Sequence, residues 1–132
     1  MPLKGSETAR RWLSKASEDL RFAKFGLTAN PPFLEAAAFH SQQAAEKALK
    51  SYLAYQGESI PRTHDLRKLS GRVLAHDKKL ESVLQKAVRL TPYVIASRYP
   101  DAADEEFTLE KAQEAIQLAE SVLLSIQTAL RI

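Results

Sequence analysis

The stretch RTHDLRKL, Arg62 to Leu69, places one histidine, one aspartate and two arginines within eight residues. Metal-independent cleavage of a phosphodiester needs a group to take the 2′-hydroxyl proton, a donor to the leaving oxygen and a cation for the phosphorane charge. His and Arg suit those tasks. The same residues also suit a helix start, with Thr63 as N-cap, His64 and Asp65 in the turn and Leu66 packing beneath. A second stretch, ASRYPD, carries Arg98, a permanently charged fork able to hold a phosphate bidentately, beside Tyr99, whose ring can stack on a base. The alternative there is Arg98 paired with Asp101 or another carboxylate, while Tyr99 and Pro100 end a helix. His40, Gln43 and Lys47 share one helix face and can add polar contacts, whereas Arg72 and His76, one turn apart, read as surface residues. The candidate ligand-binding set is therefore Arg98, His64, Asp65, Arg62, Tyr99 and Lys47, with no residue assigned a catalytic role. Three scattered histidines and no cysteine offer no metal-ligand spacing, and no cofactor is expected.

These residues must be positioned by helices. Ala9, Trp12, Leu13, Ala16, Leu20, Ala23 and Leu27 form one stripe at 100° per residue and predict a helix over 6–28. Phe22 and Phe25 lie off the stripe and mark a second packing surface, for another helix or another subunit. After the break NPPF, an alanine-rich helix over 33–56 is apolar over more than half its circumference, which predicts a central position in a bundle. Its remaining strip, His40, Gln43, Glu46, Lys47 and Lys50, reads by default as a solvated face. Further helices are expected over 65–76 and 78–90. Pro92 forces a kink or restart of the helix with Thr91 as a cap, and Pro100 then stops that helix. A strongly amphipathic last helix covers 108–130. No segment alternates with period two, so the expected fold is all-α: an antiparallel up-and-down bundle of about five helices with no sheet.

The 132 residues fit one domain spanning 1–132, and 45% hydrophobic with 27% charged residues is ordinary for a soluble globular protein. The longest apolar runs are four residues, so no membrane span is expected. The start, MPLKGSETARRW, has no apolar h-region of a secretory signal, and the absence of cysteine fits a cytoplasmic location. Neither GxGxxG nor a P-loop occurs, which excludes phosphate cradling by a glycine-rich loop. Charge is uneven. Residues 1–100 carry 17 basic and 9 acidic side chains, and residues 101–132 carry 2 and 7. Within Arg62–Arg89 eight Lys/Arg stand against three Asp/Glu. Such a segment either attracts phosphate groups or is neutralised by the acidic tail.

Three stretches in order, FHSQQAAEKALKSYLAYQG, THDL and SRYPD, with the leading WLSKASEDLRFA, resemble a HEPN domain (the higher eukaryote and prokaryote nucleotide-binding family) over nearly the whole chain. The resemblance implies a helical bundle that dimerises. It also implies, in prokaryotes, a separately encoded minimal nucleotidyltransferase as partner in a toxin–antitoxin-like pair. Some members are metal-independent ribonucleases with an Arg and a His separated by four to six intervening residues. Others bind nucleotides or RNA, or serve as partner proteins. Here Arg62 precedes His64 with one residue between, Arg72 precedes His76 with three, and no His follows Arg98 in YPDAADEEF. The ribonuclease spacing is absent. The expected function is thus a HEPN-type module that binds a nucleotide or RNA. A ribonuclease built on His64 with Arg62 or Arg98, and a purely structural interaction module, are the alternatives.

Overall fold

The computed structural model describes residues 3–93 and 107–132. Among them stand five α-helices and no strand: α1 (Leu3–Gly26), α2 (Leu34–Tyr55), α3 (Leu66–His76), α4 (Glu81–Val88) and α5 (Leu109–Leu130). The architecture is the expected antiparallel bundle. On α1 the stripe Ala9, Leu13, Ala16, Leu20 and Ala23 is buried, and it lies along α2 for most of its length. α5 covers another side of α2 with Ala112, Ala115, Ile116, Ala119, Val122, Leu123, Ile126 and Leu130. α3 closes a third side through Leu66, Leu69 and Val73. The central helix is possible because its alanines at 37, 38, 44, 45, 48 and 54 let neighbours approach closely while leucines 49 and 53 fill the core. Ser51 ties α2 to α1 by donating to the Ala9 carbonyl oxygen at 3.0 Å.

Local chemistry sets where each helix stops. α2 ends in a Schellman turn. Gly57, at φ 80°, donates to the Ala54 carbonyl, and Glu58 donates to that of Leu53, both at 3.0 Å. The positive φ requires glycine, and the turn sends the chain back toward α3. Asp65, not Thr63, caps α3: its carboxylate accepts from the amides of Arg67 at 2.9 Å and Lys68 at 3.3 Å. Thr63 instead accepts from the Asp65 amide at 3.1 Å, so His64 lies just outside the helix rather than in its first turn. The expected helix 78–90 divides into a 3₁₀ turn (Lys78–Leu80) and α4, because Asp77 accepts from the Lys79 amide at 3.0 Å and tightens the entry. Thr91 donates its hydroxyl to the Val88 carbonyl at 2.7 Å at the end of α4, and helical backbone resumes at Pro92 and Tyr93. Thr108 caps α5 through the Lys111 amide. The expected stop at Pro100 lies outside the described residues.

Candidate functional site

The polar strip of α2 is not a solvated face. Gln42, Glu46 and Lys50 recur at i, i+4 and i+8, forming one row, and Glu46 is 2% and Lys50 6% exposed. Lys50 Nζ lies 3.0 Å from Glu46 Oε2. The same ammonium sits 5.5 Å from the centre of the Trp12 ring on α1, a cation–π contact. Gln42 Nε2 reaches Glu46 Oε1 at 3.5 Å, and Gln43 donates to Gln42 at 2.7 Å. Burying two charges costs several kcal/mol per ion, which a good pair only offsets. An apolar pair would serve the core as well, which makes this row the candidate site.

The fourth member arrives from the α2–α3 connection. His64 Nδ1 stands 3.0 and 3.1 Å from the two Glu46 oxygens, although the His64 side chain is 70% exposed. A carboxylate only accepts, so Nδ1 carries the proton and donates it. Nε2 is then the free atom, with no partner among the described residues. A buried carboxylate fixing one ring nitrogen orients the other toward solvent, the arrangement used to aim imidazoles at ligands and reacting atoms. The loop that carries His64 is itself clamped. Glu58 accepts from Arg72 Nε at 3.1 Å, from Arg72 Nη2, and from His76 Nε2. The His76 hydrogen bond, then that of Arg72, holds the Glu58 carboxyl below its ordinary value.

Further along α2, Asp19 of α1 receives His40 Nδ1 at 2.9 Å and the Lys47 ammonium. The Phe22 ring lies 4.3 Å from that of His40. Glu46, Lys50, Lys47 and His40 thus form a continuous polar seam where α1 and α2 meet. Among the described residues no group of three or more His, Asp or Glu is placed to hold a metal.

A family model described as the HEPN domain matches residues 9–128. The chain belongs to the HEPN domain family. Solved HEPN-like neighbours share its fold. The crystal structure of TT1696 from Thermus thermophilus is 31% identical, with a TM-score of 0.75 over 91% of this chain and 96% of that one. ST0689, an archaeal HEPN homologue, is 31% identical, with a TM-score of 0.72 over 92% and 97%. A Methanocaldococcus jannaschii protein named as a candidate toxin is 31% identical over 93% of this chain and 88% of its own length.

In this HEPN chain the residues singled out in the sequence fall in three groups. His64 joins the seam. Lys47 lies in it, paired with Asp19, and Asp65 spends one carboxylate oxygen on the α3 cap. Arg62 is exposed at the mouth of the loop. Arg98 and Tyr99 lie outside the described residues. Arg72 and His76 are not idle surface groups but the clamp on Glu58. Sequence reasoning passed over Gln42, Glu46, Lys50 and Trp12 as ligand-site members. The available signal was the i, i+4, i+8 row of long polar side chains inside an alanine-rich helix.

Proposed function

We propose that this HEPN protein binds a nucleotide or RNA at the seam around His64, as a homodimer paired with a separately encoded minimal nucleotidyltransferase in a toxin–antitoxin-like system. The carrying observation is the Glu46 carboxylate, buried with Lys50, holding His64 Nδ1 so that Nε2 faces outward. That atom can accept a hydrogen bond from a ribose hydroxyl or a base N–H, and Arg62 and Arg98 are the cations proposed to take the phosphate. The toxin-named relative supports the paired-system reading. Titration of the purified protein with ATP and with short single-stranded RNAs tests it. Saturable binding is expected, weakened at least tenfold in His64→Ala and in Arg98→Ala. No saturable binding, or binding unchanged in both variants, removes the site. Co-purification with the product of an adjacent nucleotidyltransferase reading frame tests the pairing.

The Glu46–His64 pair also favours a second reading, because an imidazole fixed at Nδ1 has Nε2 available as a general base. As a metal-independent ribonuclease the protein cuts labelled RNA in the presence of EDTA, and His64→Ala abolishes cutting. RNA left intact over long incubation ends that reading.

A further inference from the structure

A separate groove runs between α3 and α4 and shares no residue with the seam. Ser70, Gly71 and Leu74 line it from α3, and Glu81, Leu84, Gln85 and Val88 from α4, around a volume of about 420 Å³. Two choices of residue there are unfavourable for the fold alone. Ser70 is 6% exposed, and its hydroxyl Oγ has no hydrogen-bond partner among the described residues, a state that costs stability. Gly71 stands inside a helix, where alanine is preferred, yet a Cβ built on it meets nothing within 4 Å. Neither packing nor backbone conformation requires that glycine. A guest in the groove accounts for the glycine, since a small residue keeps the floor open.

The charge around the groove describes the guest. Arg67 lies one turn before Gly71 on the same face of α3, and Lys78 and Lys79 stand at the turn joining α3 to α4. Arg67, Lys68, Lys78, Lys79 and Lys86 are exposed and have no ion-pair partner among the described residues. The acidic side chains close in sequence are occupied or outnumbered: Asp65 and Asp77 cap helices, which leaves Glu81, on the α4 wall of the groove, against those five cations. Leu74, Leu84 and Val88 make the apolar part of the lining, and it offers no ring on which a base could stack, so it suits an apolar helix face better than a nucleic acid. Two antiparallel helices with small residues between them form a seat for a third. We propose that the α3–α4 groove docks an acidic amphipathic helix of a partner protein, with its apolar side chains over Gly71 and Ser70 and its carboxylates facing Arg67, Lys78 and Lys79.

The test uses a fluorescein-labelled synthetic peptide with leucines at i, i+3, i+4 and i+7 among glutamates and alanines, read by fluorescence anisotropy. Saturable binding to the full chain is expected, with amide shifts at Ser70, Gly71 and Leu74 in ¹⁵N spectra. Gly71→Leu fills the seat and should weaken binding roughly tenfold or more, and the double variant Lys78→Glu/Lys79→Glu should do likewise. Gly71→Ala, which favours the helix, should weaken binding by a smaller factor, separating obstruction from unfolding. A scrambled peptide that binds equally, or peptide affinity unchanged in Gly71→Leu, overturns the proposal. So does a short oligouridylate that binds these residues where the peptide does not, because the surface would then serve nucleic acid.

Discussion

At the scale of single residues, Glu46 bears the greatest demand. Its carboxylate meets Lys50, His64 and Gln42 while almost wholly buried. Removing it strands the Lys50 ammonium in the core, and losing one member of a buried pair costs about 3–5 kcal/mol. Glu46→Ala should lower the unfolding free energy by about that amount in urea denaturation. The double variant Glu46→Leu/Lys50→Met, which replaces the pair by apolar groups of similar volume, should recover most of it. If the double variant is stable yet no longer binds nucleotide or RNA, the pair serves binding rather than folding. The row Gln42, Glu46, Lys50 is visible in the sequence. Its burial is not, because that depends on Trp12, 38 positions before Lys50, and on a loop histidine 18 positions after Glu46.

At the scale of elements, helix existence was legible nearly everywhere because apolar periodicity directly reports a packed face. The expected ranges 33–56 and 108–130 differ from α2 and α5 by one residue at each end or less. Choosing between Thr63 and Asp65 as cap was harder, since both types cap helices and the decision rests on which oxygen the third amide reaches. Asp65→Ala should therefore cost about 1 kcal/mol, and Thr63→Ala less, by thermal denaturation. In α3 itself, Gly71→Ala should stabilise by about 1 kcal/mol, because the added methyl has room and the helix prefers alanine. The clamp on the α2–α3 connection adds a dependence on pH. Glu58 titrates below its ordinary 4.5 when folded, so its contribution is complete above that value and fades as pH falls through the lowered one. Glu58→Gln should have a lower urea midpoint than the parent at neutral pH, and the gap should close in acid.

At the scale of the whole molecule, the basic segment and the acidic last helix meet only in part. Glu114 takes Arg89 and Glu120 takes Lys24, while Arg67 and Lys68 of α3 and Lys78 and Lys79 of the 3₁₀ turn stay unpaired among the described residues. Neutralisation by the tail and an open basic surface, the two readings of the composition, thus each hold for different residues. Phe22 and Phe25 are 53% and 74% exposed on the outer face of α1. An aromatic pair exposed to that degree fits the subunit contact of the proposed homodimer. Phe22→Ser/Phe25→Ser should sediment as a monomer, and an unchanged dimer mass rejects that contact.

The order of packing has a consequence for synthesis. α2 ends at Tyr55, but the helix that covers one of its sides is complete only at Leu130, 75 residues later. At ordinary translation speeds that gap lasts about 4–15 s. Through it, an alanine- and leucine-rich surface waits bare on each nascent chain. The growing polypeptide, more than the finished protein, is where a chaperone would find something to hold.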